Sequence, residues 1–505
     1  MSKTSQIVKN SFFLYIRMLL LMVATFFTSR IVLDKLGVVD YGINNVVGGV
    51  ASMFVFFRSS LSNVTQRYLN FEMGRKNYVG MRDIFQQHLS IYIVIAVVVL
   101  LFSETLGIWI VTQKLVIPEN RYIATLWVYQ FTLLGLIFTI SSVVYDSVLI
   151  AHENMKVYSY CGIFEGVTKL LIAFLISYSP IDKMIFYAIM LSLVSIGLFF
   201  FYSTYCKIKY EECVFRFAWK PKAIKDAFSM VSWNTIGTLV YMINDQGINI
   251  LLNIFFGPAV NAARAVSYQV SSALLQFSSN FYKSVQPQLV KAYASEEWDY
   301  FYVLFYKSSK YAFLLLWIVS LPLMFCVNPA LKIWLKNVPE YANIFTIWIL
   351  FYNLVNVLNQ PIWITALAVG KLKKYILLGS SVFLMIFPIS LLSLYMGYSP
   401  VSVFVIALIV RLAYLIVVMK IIHEYVNISF SRYLKEVVMP ILLVVVSSSL
   451  IMYLIPSIQS NLFMAVGSTV VQSIIIVMAA IYVFALTKNE KLKLKTFINK
   501  KIHHG

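Results

Sequence analysis

Apolar residues run along this chain in blocks of roughly 20, the length a helix needs to cross the hydrocarbon of a bilayer. Short polar stretches separate the blocks. The pattern predicts 14 membrane-spanning helices, over 12–33, 40–62, 88–111, 122–150, 157–178, 184–205, 228–256, 260–282, 309–328, 342–368, 376–396, 400–422, 437–456 and 462–486. Helices are the expected form because lipid cannot satisfy backbone N–H and C=O groups, so each segment must satisfy its own. The first span follows a short basic N-terminus without a small-residue cleavage site and reads as a retained signal anchor.

Composition agrees. Hydrophobic residues make up 60% and charged residues 12% of 505, with mean hydropathy +0.80, where a soluble domain carries about 25% charge. The placement of the charges supplies the orientation. Of 41 Lys and Arg, 29 lie in or at the edges of the segments on the side of the N-terminus, 6 lie in the segments opposite, and 6 fall inside spans. The cytoplasmic side of a membrane protein carries the excess of Lys and Arg, so both termini are expected in the cytoplasm. The net charge of +20 is thereby accounted for by loops facing anionic headgroups, and nucleic acid is not an expected partner. Cys161, Cys206, Cys213 and Cys326 show no metal spacing and none falls in an outer loop, so no disulfide framework is implied.

An internal repeat divides the spans. Leu36-Gly37 and Phe256-Gly257 each end an outer turn, and the interval from Gly37 to Gln66 equals that from Gly257 to Gln286, 29 residues. The offset of 220 aligns spans 1 and 2 with 7 and 8, and Phe85 with Phe305. A second echo joins Ala151-His152-Glu153-Asn154-Met155-Lys156 to Ala368-Val369-Gly370-Lys371-Leu372-Lys373. The expected organisation is an N-lobe over 1–206, a basic cytoplasmic linker over 207–226 interrupted by Pro221, a C-lobe over 227–424, and two further helices with a basic tail over 425–505. An even number of helices per repeat gives parallel lobes, as in alternating-access transporters.

Charges at membrane depth mark where function is expected, since burying them in lipid costs several kcal/mol unless they face water or a partner. The cations are Arg17, Arg30, Arg58, Lys169, Arg264 and Arg411; the carboxylates are Asp34, Asp146, Glu165 and Asp245. Structural readings stay open beside the functional one. Arg17 and Arg58 sit close enough to helix ends to snorkel, Arg30 is spaced to pair with Asp34, and Glu165 and Lys169 form a favourable i,i+4 pair. Arg264 begins its span and could anchor it at the interface. Arg411 is midway along an apolar helix. Span 7 carries a polar stripe, Asn234, Thr238, Tyr241, Asp245 and Asn249, widened by Asn244, Gln246 and Asn253. Span 2 offers Asn44, Gly48 and Ser62, and span 8 Ser267, Ser271, Ser278 and Tyr282. Together these predict a hydrated cavity of net positive charge lined by spans 1, 2, 7 and 8, suited to an anion.

The chain has neither a G-x-x-x-x-G-K-[ST] loop nor an H-E-x-x-H sequence, and its five His are scattered. Outer loops are short. It does not read as an enzyme.

The run Ser29-Arg30-Ile31-Val32-Leu33-Asp34-Lys35-Leu36-Gly37-Val38-Val39-Asp40-Tyr41-Gly42-Ile43, continuing to Val46-Val47-Gly48-Gly49-Val50, resembles the first hairpin of Wzx-type polysaccharide flippases. So do Gln66-Arg67-Tyr68-Leu69-Asn70-Phe71-Glu72-Met73-Gly74-Arg75 and the loop from Ala151 to Lys156. These flippases belong to the multidrug/oligosaccharidyl-lipid/polysaccharide exporter superfamily. The resemblance implies an all-α integral membrane fold of two six-helix bundles around a V-shaped cavity. It further implies movement of an undecaprenyl-pyrophosphate-linked oligosaccharide, an O-antigen or capsule unit, to the outer leaflet of a bacterial inner membrane. The related lipid II flippases carry arginines on spans 1, 2 and 8, which by helix order correspond to Arg30, Arg58 and Arg264. Further substrate contacts are expected from Arg17, Lys169, Arg411, Asn234, Tyr241 and Asn249. Coupling to Na+ or H+ would run through Asp245, Asp146, Glu165 or Asp34, and no cofactor is expected. Glycosyltransferases and a polymerase of the same pathway are the implied partners. The competing reading is a cation-coupled exporter of small amphipathic compounds, which would prefer a cavity rich in carboxylates.

Overall fold

A computed structural model describes residues 3–53, 62, 65–66, 68–70, 72–73, 75–152, 154–218, 221–455 and 461–492, without the side chains of 3–19, 221–236, 277, 280, 283–284 and 287. Among the described residues every long element is a helix. They are α1 (Lys3–Ser52), α2 (Tyr78–Gln113), α3 (Glu119–Ala151), α4 (Met155–Tyr178), α5 (Lys183–Lys209), α6 (Pro221–Phe256) and α7 (Pro258–Ala294). Then follow α8 (Trp298–Phe325), α9 (Ala342–Val369), α10 (Leu372–Tyr395), α11 (Val401–Val426), α12 (Phe430–Leu454) and α13 (Leu462–Ala485). Among the described residues 11 helices are long and apolar enough to cross a membrane, and each overlaps one expected span. The protein is a multi-pass membrane protein. Of the three other expected spans, the first lies within α1, the second begins in α1 and continues outside the described residues, and the eighth lies within α7, whose first half is made polar by Asn261, Arg264, Ser267, Gln269 and Ser271.

The helices begin and end for local reasons. Asp182 caps α5 by accepting hydrogen bonds from the backbone N–H of Met184 (3.0 Å) and Ile185 (3.2 Å). Gly37 breaks α1 at φ 82°, and Gly257 separates α6 from α7 at φ 78°. Both are left-handed conformations that glycine adopts without steric cost. The two glycines aligned by the repeat thus share a positive φ. In α2 the π-helical turn Ser103–Gly107 presents the Ser103 carbonyl to the buried Tyr129 hydroxyl, which donates to it at 2.7 Å.

Two compact units make up the chain. The first comprises Met1–Ala265, Leu335–Glu340 and Ser390–Pro400; the second Val266–Trp334, Tyr341–Ile389 and Val401–Gly505. In the first, Phe85, Tyr92, Val144, Val148, Leu149 and Cys206 form one core, and Ile43, Val46, Val47, Val50, Val111 and Tyr129 another. Because lipid is as apolar as these side chains, such cores hold by close packing rather than by leaving water. Polar cross-links add to them in the second unit. Trp317 donates to Ser448 Oγ (3.0 Å), Lys310 to the Ala485 carbonyl (2.8 Å) and Asn353 to Ser271 Oγ (2.8 Å).

The first unit takes in α6 and the start of α7, a division that does not follow helix order. Its basis is close approach to α1: a Cβ on Gly42 would collide with the Pro258 carbonyl, and one on Gly49 with the Gln246 side chain. The segment 210–218 also packs within this unit. Cys213 is fully buried, the Gln86 amide donates to the Val214 carbonyl (3.1 Å), and Ala218 N–H donates to Ser90 Oγ (3.0 Å). His152 Nε2 lies 2.5 Å from Glu212 Oε1, and its ring stacks on Tyr210. Burial opposes ionisation of Glu212, but the His152 contact and a backbone hydrogen bond outweigh it, so its pKa falls below the usual glutamate value.

Candidate functional site

In the first unit the turn at Gly257 folds α7 back beside α6, bringing Arg264 onto Asp245. The Arg264 Nη2 donates to Asp245 Oδ1 at 2.5 Å and to the Asp245 carbonyl at 2.8 Å. The arginine is 4% exposed and the aspartate side chain 19%. Of the charges expected to line a cavity, this pair joins one substrate candidate to one coupling candidate. Arg264 is therefore an ion-paired residue inside the helix packing, and the interface-anchor reading does not describe it.

Asp245 has further support. Gln246 Nε2 donates to its Oδ2 at 2.8 Å, Asn249 Nδ2 to Gln246 Oε1 at 3.4 Å, and Asn261 Nδ2 to Asn249 Oδ1 at 2.8 Å. Asn253 Nδ2 then donates to Asn261 Oδ1 at 3.0 Å, and Asn253 Oδ1 accepts from the Val116 backbone N–H at 2.8 Å. Asn249, Asn253 and Asn261 are all 1% exposed or less. The polarity of this chain is determined at both ends, because a backbone N–H can only donate and a carboxylate can only accept. Every amide therefore points its N–H toward Asp245. Asn261 was not among the expected site residues. Its sequence signal was a buried-depth amide opposite Asn253 across the Phe256-Gly257-Pro258 turn.

The other expected residues sit apart from this cluster or outside the described residues. Arg58 lies outside them, as do the side chains of Arg17 and Asn234. Along the polar stripe of span 7, Tyr241 is 55% exposed and Asn249 is buried in the amide chain. The Arg30 side chain is half-buried and makes no ion pair among the described residues, and Asp34 bonds instead to Lys336 at 3.0 Å. Glu165 and Lys169 pair within α4 at 2.6 Å. Asp146 is half-buried on α3.

Arg411, in the second unit, is 8% exposed. It donates to Asn356 Oδ1 and lies 4.6 Å from the Tyr414 ring centroid and 5.9 Å from that of Tyr352. Such faces attract a desolvated guanidinium. No carboxylate among the described residues pairs with it.

One further cluster escaped the sequence reading, in which Arg121 counted only as a loop cation. Its guanidinium bonds both carboxylate oxygens of Asp40 (2.7 and 2.6 Å) and both of Asp182 (2.6 and 3.1 Å). Burial opposes ionisation of Asp182, but Arg121 and the capped N–H groups prevail and its pKa is lowered. This ties the middle of α1 to the starts of α3 and α5. Among the described residues no group of His, Cys, Asp and Glu could hold a metal ion.

No family model and no curated protein matches this chain. Solved structures do. A lipid II flippase, MurJ, in an inward-closed conformation matches with TM-score 0.66 and 15% identity, over 92% of this chain and 98% of that one. An inward-facing multidrug resistance transporter of the MATE family and MOP superfamily matches at 0.56 and 11%, over 81% and 94%. A Vibrio cholerae MATE transporter matches at 0.51 and 14%, over 84% and 97%. The chain therefore has the helical fold shared by MurJ and MATE transporters.

Proposed function

We propose that this protein is a flippase that moves a diphosphate-linked oligosaccharide on a polyprenyl carrier, such as an O-antigen or capsule unit, from the inner to the outer leaflet of a bacterial inner membrane. The observation that carries the reading is the sign of the buried charge. Arg264 in the first unit and Arg411 in the second are 4% and 8% exposed within the helix packing, and among the described residues one carboxylate, Asp245, is bonded to either of them. Buried guanidinium groups suit a phosphate, whereas an exporter of cations calls for the opposite excess. The fold supports it, since a protein described as a lipid II flippase shares it over nearly its whole length. That the chain resembles Wzx-type flippases in its first hairpin points the same way.

In this reading 14 spans place both termini in the cytoplasm. The lobes 1–206 and 227–424, joined by 207–226, alternate their openings, and 425–505 adds two helices and the tail. Arginines replace part of the water lost by the diphosphate, since charge-assisted, bidentate hydrogen bonds are the strongest available. Arg30, Arg58 and Arg264 are the principal contacts, with Arg17, Lys169, Arg411, Asn234, Tyr241 and Asn249 around them. A Na+ or H+ gradient resets the cycle through Asp245, Asp146, Glu165 or Asp34. Glycosyltransferases supply the substrate and a polymerase consumes it.

The test is flipping of a defined undecaprenyl-diphosphate oligosaccharide in proteoliposomes. Arg30→Ala, Arg58→Ala and Arg264→Ala, made singly, are expected to slow flipping by about tenfold or more, because a hydrogen bond to a charged group contributes about 1.5–3 kcal/mol. Membrane insertion is expected to persist. Normal flipping by all three would remove the site.

A further inference from the structure

We infer that Asp245 is an internal stand-in for the substrate phosphate, a carboxylate that occupies Arg264 in the empty protein and returns to it to expel the product. The inference rests on the flippase reading above and adds to it the means of release. A guanidinium that binds phosphate bidentately also binds a carboxylate bidentately, so the two anions compete for one group. The pair is closed in this structure, with 2.5 Å between Nη2 and Oδ1. Substrate must displace Asp245 to reach Arg264, and its affinity is reduced by the strength of that internal contact.

Exchange is feasible only if Asp245 can lose its arginine without becoming a buried, unsupported anion, which is costly. The amide chain meets that need. Gln246 holds Oδ2 independently of Arg264, and Asn253, Asn261 and Asn249 behind it, in a series that starts at the Val116 N–H, all aim their N–H groups toward Asp245. Hydrogen bonds in such a series polarise one another. The partial side-chain exposure of Asp245, 19%, gives it a second source of solvation that Arg264 at 4% lacks. Gln246 touches the Asp245 carboxylate directly, and the three amides behind it keep Gln246 turned as a donor toward it.

The experiment measures binding of undecaprenyl diphosphate in detergent micelles, together with flipping in proteoliposomes. Asp245→Asn keeps the shape and one acceptor but removes the competing charge. It is expected to tighten diphosphate binding about tenfold while slowing repeated turnover, with the first turnover retained. Asp245→Glu restores competition and is expected to approach the parent. Asn261→Ala leaves both charges in place but breaks the amide chain, and is expected to weaken diphosphate binding several-fold. Unchanged or weaker binding by Asp245→Asn, or unchanged binding by Asn261→Ala, would overturn the inference. Arg264→Gln separates the two levels: if it binds the diphosphate as the parent does, the flippase site itself is misplaced. Loss of binding in Arg264→Gln with no gain in Asp245→Asn removes only the release device.

Discussion

At the level of single residues, the partners decide what a charge can do. Arg264 and Asp245 were both visible in the sequence, but with separate roles, because nothing in their spacing shows that the Gly257 turn lays one on the other. Arg30 and Asp34 are spaced i,i+4, yet Asp34 bonds Lys336, 302 residues away. Spacing of four residues permits a contact without choosing it over a distant competitor. Glu490 illustrates the same point beyond the last span. Burial opposes its ionisation, but Lys307 at 2.6 Å, with Thr487 and Tyr311, outweighs it and holds its pKa at about 2 against an ordinary 4.5. A lowered folded-state pKa contributes stability that is present above the ordinary value and lost as pH falls through the lower one. Docking of the segment after α13 onto α8 is thus expected to weaken between pH 4.5 and about 2. Hydrogen exchange over residues 486–492 would show it, and Glu490→Gln should exchange rapidly without that pH dependence. Slow exchange in the variant would show that packing alone holds the segment.

At the level of elements, glycine placement carries more than hydropathy. Helix existence was legible because lipid enforces it: among the described residues, 11 spans found by length and composition overlap 11 of the expected ones. Helix approach was not, since a glycine marks a close neighbour without naming it. Gly42 meets the Pro258 backbone, whereas Gly48 has nothing within 4 Å of where a Cβ would stand. Gly42→Ala is expected to destabilise by roughly 1–3 kcal/mol, the usual cost of overpacking. Gly48→Ala should be neutral or slightly stabilising, as expected for alanine in a helix. Thermal unfolding of the purified variants in detergent compares them; equal melting would mean that α1 and α7 can separate at little cost.

At the level of the whole molecule, the distribution of Lys and Arg predicts which face each loop occupies. Lys76→Cys and Glu296→Cys are expected to react with a membrane-impermeant maleimide only after the cytoplasmic face is opened. Lys114→Cys and Lys183→Cys should react in intact cells. All four sites are exposed, and the four native cysteines are buried, so the label reads the introduced residue. The reverse labelling pattern would invert the proposed direction of transport.

What the sequence determined by itself was the class of solvent and the secondary structure it imposes. Apolar blocks of span length, a repeat at an offset of 220 and an asymmetric charge distribution are properties of the chain read in order. The bilayer acts on each block separately. Only the tertiary structure decided which polar groups neutralise one another: Asp245 with Arg264, Arg121 with Asp40 and Asp182, and the amides from Asn253 to Gln246 in one direction. Electrostatic partnership depends on a few ångströms between atoms remote in sequence, and that separation exists only after the helices have packed.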